Sequence, residues 1–377
     1  MRIALIAPLA EAVPPKLYGG TERVVSWLAE ELVRQGHKVT LFASGESETT
    51  AKLVVGAPRS LRLAGIRDHI GSTLGMLREV RRRADDFDII HFHVELLPNA
   101  LFHDLAHKCV TTLHGRLDRP DILPLYNAYP EMPLISISNS QRLPMPANVN
   151  WLTTISHGLP SHVCPFYPQG GDYLAFLGRI SPEKRPDRAI EIAKRAGVPL
   201  KIAAKVDDAD LTYFKAEIEP LLNHPLIEFV GEINEREKQQ FLGGARALLF
   251  PIDWPEPFGL VMIEAMSAGA PIIAWRNGSV PEIVADRVSG IIVDSIDAAA
   301  DAVHEASRMS RGAVRAEFEA RFTAARMARN YVAAYRMLLA RASVESGAAP
   351  LAAASLAPEP WDLVGHAGQG EPQAVSA

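Results

Sequence analysis

The sequence predicts an α/β chain of two Rossmann-like, doubly wound halves facing a cleft. Three observations carry this. Short apolar runs alternate with amphipathic helical stretches along most of the length. The alternation breaks at a patch holding Pro160, Pro165, Pro168, Gly170 and Gly171, then restarts at Tyr173. A chain of 377 residues is also too long for one ordinary core, so two domains are expected.

In order, the apolar runs cover residues 3–7, 38–43, 88–93, 109–114, 134–139 and 152–156, then 173–178, 200–205, 227–231, 247–251, 271–275 and 290–293. Runs this short and without alternation fit parallel strands covered on both faces. Strands alternating with helices build βαβ units. The opening MRIALIAPLA places a charge before apolar residues, as a leader does. Its run is at the short limit for one, and Gly19-Gly20 and a helix follow, so it reads as the first strand. The helix over 22–35 carries Val24, Val25, Leu28, Leu32 and Val33 on one stripe, with Gly36 as its C-cap. A last helix, about 317–341, repeats apolar groups at Met327, Tyr331, Ala334, Tyr335 and Leu338. From Ser343 the composition turns to Ala, Gly, Pro, Ser and Glu, which predicts a disordered tail over 343–377; Trp361 in it has no assigned role. The expected units are 1–165, 170–321, a crossing segment 322–342, and the tail.

Apolar content of 48% and charged content of 22% fit a soluble globular protein. The net charge of −5 gives no sign of a nucleic-acid partner. Arg81-Arg82-Arg83 reads as a solvated helix face. Two cysteines, Cys109 and Cys164, make no disulfide framework and point to a reducing cytosol. No stretch reaches the ~20 apolar residues of a membrane span.

The most informative stretch is Pro255-Glu256-Pro257-Phe258-Gly259-Leu260-Val261-Met262-Ile263-Glu264. Two prolines exclude a continuous helix, because the residue before a proline is pushed out of the helical region. Glu256 is therefore expected on a loop and Glu264 on a helix starting near Gly259. A helix N-terminus offers free N–H groups to a phosphate, and carboxylates on either side can accept hydrogen bonds from hydroxyls. Polyol, phosphate, polyol describes a nucleotide diphosphate sugar. Gly178-Arg179 closes a predicted strand and Lys184 follows; two cations there would neutralise charge growing on a diphosphate leaving group. Gly19 and Gly20 follow the first strand by a long loop and permit close backbone approach to a ligand.

These residues resemble glycosyltransferase family 4. "EPFGLVMIEAMSAGAPIIA" is similar to its E-x7-E motif, and Gly178 to Lys184 resembles its G-R-x-x-x-x-K segment. The resemblance covers about residues 1–339. It implies the GT-B fold, with the C-terminal helix crossing back onto the first domain. It further implies sugar transfer from a UDP- or GDP-sugar to an acceptor hydroxyl, with retention of configuration. Carried over, Glu256 contacts the transferred sugar and Glu264 the ribose. His114 lies by the reacting sugar, Glu232 and Ile233 lie against the nucleobase, and Phe258, Gly259 and Leu260 hold the donor. Asn139-Ser140 and His157-Gly158 resemble further site positions, with His157 where the family commonly has Asn. Since some relatives use lipid acceptors, the resemblance leaves peripheral contact with the inner membrane face open. It implies chemistry without a metal or other cofactor, Arg179 and Lys184 replacing the cation.

Two D-x-D patterns, Asp86/Asp88 and Asp208/Asp210, lack a reinforcing ligand; the first also falls at the wrong sheet edge. His91 and His93 share one strand face and find no third metal ligand. A GT-B epimerase or sugar phosphorylase would share the fold. A nicotinamide dehydrogenase would need the G-x-G-x-x-G that is missing here. A non-catalytic sugar-nucleotide binder would tolerate loss of Arg179 and Lys184, yet both are present.

Overall fold

The structure is a computed structural model and describes residues 1–16 and 19–345. Among the described residues, thirteen strands form two all-parallel sheets. The first contains β1 (Arg2–Ile6), β2 (Lys38–Ser44), β3 (Lys52–Ala57), β4 (Ile89–Phe92), β5 (Cys109–Thr112), β6 (Leu134–Ser136) and β7 (Trp151–Thr154), in the order β3-β2-β1-β4-β5-β6-β7. The second contains β8 (Tyr173–Arg179), β9 (Leu200–Lys205), β10 (Ile227–Gly231), β11 (Ala245–Phe250), β12 (Ile272–Trp275) and β13 (Gly290–Val293), in the order β10-β9-β8-β11-β12-β13. In each sheet the order in which strands are added reverses once, at β1/β4 and at β8/β11. Ligands of such sheets bind beyond the strand carboxyl ends at these switch points.

The helices of nine or more residues are α1 (Gly20–Arg34), α2 (Ile70–Arg82), α3 (Pro186–Ala196), α4 (Glu235–Gly243), α5 (Leu260–Ala268), α6 (Ile296–Ala306), α7 (Arg311–Arg321) and α8 (Ala324–Glu345). They cover both faces of the sheets. Ile3 and Leu5 of β1 pack with Val24, Val25, Leu28 and Leu32 of α1. Met327, Tyr331, Tyr335 and Leu338 of α8 complete that same core, so the last helix belongs to the packing of the first sheet. Its crossing back, expected from the resemblance, is present.

Three expectations need correction. No strand was expected at 52–57, where β3 forms the sheet edge. Its side chains are mostly half-exposed, with Val55 55% exposed, so it lacks the solid apolar run of a central strand. The single helix expected over about 317–341 is two, broken at Phe322-Thr323. There the chain bonds to Leu159, whose N–H reaches the Phe322 carbonyl (3.0 Å) and whose carbonyl receives the Ala324 N–H (3.0 Å). Gly158 allows this approach: a Cβ on it would lie 2.4 Å from the Thr323 carbonyl oxygen. The final helix runs through Glu345, past the expected start of the tail. The remainder of that tail, with Trp361, lies outside the described residues.

Candidate active site

Between the carboxyl edges of the two sheets lies a cleft of about 1120 Å³. Local sequence explains its centre. α5 reads LVMIEAMSA and is buried nearly all round, so it is a core helix with Glu264 as its one charged residue. Its N-cap, Gly259, has φ +79°, and a Cβ there would meet Met262 Cε at 2.7 Å. Glycine thus lets the chain turn from the proline loop into the helix. No side chain caps that end; the Met262 N–H turns back to the Gly259 carbonyl (3.0 Å), and Gly259, Leu260 and Val261 border the cleft.

Glu256 and Glu264 are both nearly buried, at 9% and 7% exposure, and each meets a lysine. Glu256 pairs with Lys184, whose ammonium also sits over the Trp254 ring at 4.9 Å. Glu264 pairs with Lys238 of α4 at 2.5 Å, and Lys238 also contacts Glu235, which in turn meets Arg23 of α1. This chain of charges spans the cleft from one domain to the other. Arg179 lies within 2.8 Å of Glu183, 3.7 Å of Asp207 and 3.5 Å of Asp210. Asp210, from the better placed D-x-D pattern, is thereby turned toward a cation. Asp88, from the other, binds Arg2 at the opposite sheet edge. Among the described residues no group of three or more His, Cys, Asp or Glu is arranged to hold a metal.

The structure brings Arg179, Lys184, Glu256 and His114 to this one cleft, together with Gly19, Gly20, Glu232, Ile233, Phe258, Gly259, Leu260 and Glu264. Leu260 also reaches across to the first domain, where with Trp27 it packs against both cores. Asn139 and Ser140 do not border the cleft. Their N–H groups donate to Glu282 of the second domain, at 2.7 Å each.

A column of imidazoles backs the first-domain wall. His91 contacts Tyr335 Oη (2.7 Å) and Thr112 Oγ1 (2.8 Å), and Tyr331 Oη reaches the same Thr112 (3.1 Å). His93 Nδ1 bonds His114 Nε2 at 2.8 Å; His114 stacks on His157, and His157 meets the edge of Phe258. Burial holds His91 and His114 down to about 3, and His93 and His157 well below the usual histidine range. All four are neutral at pH 7. His114 is only partly covered as a residue, yet its Nδ1 is buried without a partner. Sequence reasoning missed Lys238, Arg23, Glu235 and Glu22. The last, in the first turn of α1, is buried in the cleft wall, and burial raises its carboxyl above the usual range.

Comparison with known proteins gives two family matches. Residues 18–180 match the model described as Glycosyltransferase Family 4, and residues 166–322 that described as Glycosyl transferases group 1. The phosphatidyl-myo-inositol mannosyltransferase of Propionibacterium freudenreichii is similar at 24% identity over 325 residues, 76% of this chain and 80% of that protein. Its namesake from Mycobacterium leprae is 25% identical over 339 residues, 80% and 85% of the two chains. Among solved structures, sucrose-phosphate synthase from Thermosynechococcus elongatus superposes with a TM-score of 0.70 at 20% identity, covering 90% of this chain and 100% of that one. Anabaena HepE in complex with UDP and glucose gives 0.66 at 17% identity, covering 88% and 98%.

Proposed function

The chain belongs to glycosyltransferase family 4 and is a glycosyltransferase of GT-B fold; from that premise we propose that it moves a sugar from a nucleotide diphosphate sugar to an acceptor hydroxyl, with retention of configuration. The observation that carries this reading is the uncapped N-terminus of α5 set between Glu256 and Glu264, with Arg179 and Lys184 bordering the same cleft. The helix end and the two cations suit a diphosphate. Glu256 then grips the sugar and Glu264 the ribose, while Glu232 and Ile233 flank the base. In the reaction the bond from the anomeric carbon to the diphosphate oxygen breaks and a bond to the acceptor oxygen forms. The acceptor's proton leaves with the nucleoside diphosphate. Arg179 and Lys184 stabilise the negative charge that grows on the departing oxygen, an interaction stronger in the transition state than in the ground state. His114, neutral, lies at the sugar.

That HepE was solved with UDP and with UDP-glucose favours a uridine or comparable nucleotide donor. A cytoplasmic enzyme working on a soluble or inner-leaflet acceptor fits the two free cysteines. Among the described residues no helix is long and apolar enough to cross a membrane. The test is a thermal-shift screen of UDP-, GDP- and ADP-sugars followed by NMR of the product's anomeric centre. A donor at about a hundred times its Kd should stabilise the protein by ~2.7 kcal/mol. No stabilisation by any nucleotide sugar refutes the donor assignment, and an inverted product refutes retention.

A further inference from the structure

A second cavity of about 410 Å³ adjoins the cleft and shares Pro8, Thr21 and His114 with it. Its size falls in the range of small-molecule sites, roughly 300–1,000 Å³. Its remaining polar wall is His69, Thr73, His93 and Glu95. The two spaces differ in their cations. Seven lysines and arginines border the cleft beside six glutamates, whereas among the described residues no lysine or arginine borders the smaller cavity, whose one carboxylate is Glu95. Arg116 and Arg119, in the loop beside it, are bound to Asp118 and Asp121.

The hydrogen-bonding groups in this wall are set for hydroxyls. His93 and His114 share one bond, Nδ1 to Nε2, and the other nitrogen of each is buried with no protein partner. Buried polar atoms of this kind call for an explanation. Each neutral ring carries one N–H. If His114 donates the shared bond, His114 Nδ1 is a free acceptor and His93 Nε2 a free donor; if His93 donates, the two roles exchange. Either way the pair carries one unsatisfied donor and one unsatisfied acceptor, both covered just beneath the cavity wall. In the wall itself Glu95 supplies an acceptor, beside Thr73 and His69. Its Oε1 takes the N–H groups of His114 (2.8 Å) and Gly115 (3.0 Å), and no hydrogen bond reaches Oε2 among the described residues.

The backbone is strained to place that carboxylate. Leu96 has φ +69° and ψ −66°, and the Leu97 N–H bonds the Glu95 carbonyl at 2.9 Å across it. This is a γ-turn, rare and costly for a residue with a side chain, and such strain collects at functional sites.

We infer that this cavity is the acceptor subsite, that it takes an uncharged, hydroxyl-rich molecule, and that it discriminates against a phosphorylated one. A phosphate here would meet Glu95 and no cation, and a charge taken from water without a partner is strongly disfavoured. The inference rests on the glycosyl-transfer reading above.

The experiment uses the full chain with UDP-glucose or GDP-mannose, whichever the thermal-shift screen selects. Transfer to free hexoses, hexitols and myo-inositol is compared with transfer to glucose 6-phosphate and inositol 3-phosphate by mass spectrometry. The neutral group should give at least a tenfold higher kcat/KM. Glu95→Gln keeps an oxygen for the loop N–H groups and should raise acceptor KM about tenfold, with donor Kd unchanged. Thr73→Lys, which adds a cation to the wall, should narrow the preference. Equal or better use of phosphorylated acceptors by the wild type overturns the inference. So does absence of transfer to every neutral polyol while the donor still binds. Failure of all nucleotide sugars to bind refutes the parent reading instead.

Discussion

Glu256 and Glu264 each lean on a lysine, and that pairing decides how substitutions there will behave. The Lys184 side chain is 21% exposed and that of Glu256 11%, so Lys184→Ala leaves a nearly buried carboxylate without its partner. It should cost about 1–3 kcal/mol of stability as well as turnover. Arg179 is 37% exposed among three carboxylates, so Arg179→Ala should leave the melting temperature almost unchanged and lower kcat by roughly 10²–10³-fold. Parallel melts and initial rates check both; an unstable Arg179→Ala with normal turnover makes that residue structural. Glu264→Ala should weaken nucleotide binding by roughly 2–3 kcal/mol, as for hydrogen bonds to a charged group. Unchanged affinity in calorimetry removes Glu264 from the ribose. The placement of the motif residues on one cleft was legible because each is a chemically distinctive type just beyond a predicted strand. Lys238 was not, since EREKQQ reads as a solvated helix face and only folding brings it to Glu264, 26 residues away. Glu95 was hidden for the same reason: its partners are 19 and 20 residues on, in the loop after the neighbouring strand β5.

At the scale of elements, α8 shows what periodicity can and cannot give. Its buried stripe was plain from Met327, Tyr331, Tyr335 and Leu338, but its start was misplaced, because the break at Phe322-Thr323 is made by Leu159 from a distant loop. An edge strand such as β3, half-exposed on both faces, leaves no comparable signature. The stripe is also polar at its tips, since both tyrosine hydroxyls feed the histidine column under the cleft. Tyr331→Ala should cost about 3–5 kcal/mol, and Tyr331→Phe, which loses only the hydroxyl contact, about 0.5–1.5 kcal/mol. Denaturant titration separates the two, and equal small losses would mean that the helix is not part of the first core. The column also sets a pH dependence. With folded values at about 3 for His91 and His114, and well below normal for His93 and His157, the unfolded chain binds more protons than the native state from about pH 6.5 downward. Stability rises with pH wherever the unfolded state holds more protons, so it is lost as pH falls from about 6.5 toward 3 and fully present above that window. Glu22, raised by burial, opposes this with the reverse sign, but four imidazoles outweigh it. Melts between pH 7.5 and 4.5 should show a falling midpoint; a flat profile would mean that the rings are accessible to protons in the native state.

For the molecule as a whole, function depends on how the two sheets are held face to face. The apolar contact includes Leu260 and Trp27, which pack against both cores, and Ile137 and Leu159, which join the core of the second sheet. Polar contacts between them include Arg23 with Glu235 at the cleft mouth, Arg116 over the Trp254 ring, and Glu282, which receives the N–H groups of Asn139 and Ser140 and the Asn139 side-chain amide. Glu282 is anchored in turn, because Arg321 just before the crossing donates to its carbonyl. One carboxylate therefore ties the first domain to the segment through which the chain returns to it. These three hydrogen bonds to one carboxylate, in a partly solvated setting, are worth about 1–2 kcal/mol together, roughly a 5- to 30-fold bias in the balance between closed and open arrangements. Glu282→Ala should remove that bias without touching either core. Its radius of gyration in solution scattering should rise, and the donor should restore it by bridging Arg179, Lys184 and α5 to the opposite wall. Donor KM should increase several-fold while the midpoint of denaturant unfolding stays within error. If scattering and KM both match the wild type, Leu260, Trp27 and α8 hold the domains without Glu282, and the carboxylate serves only to satisfy donors of the Asn139-Ser140 loop.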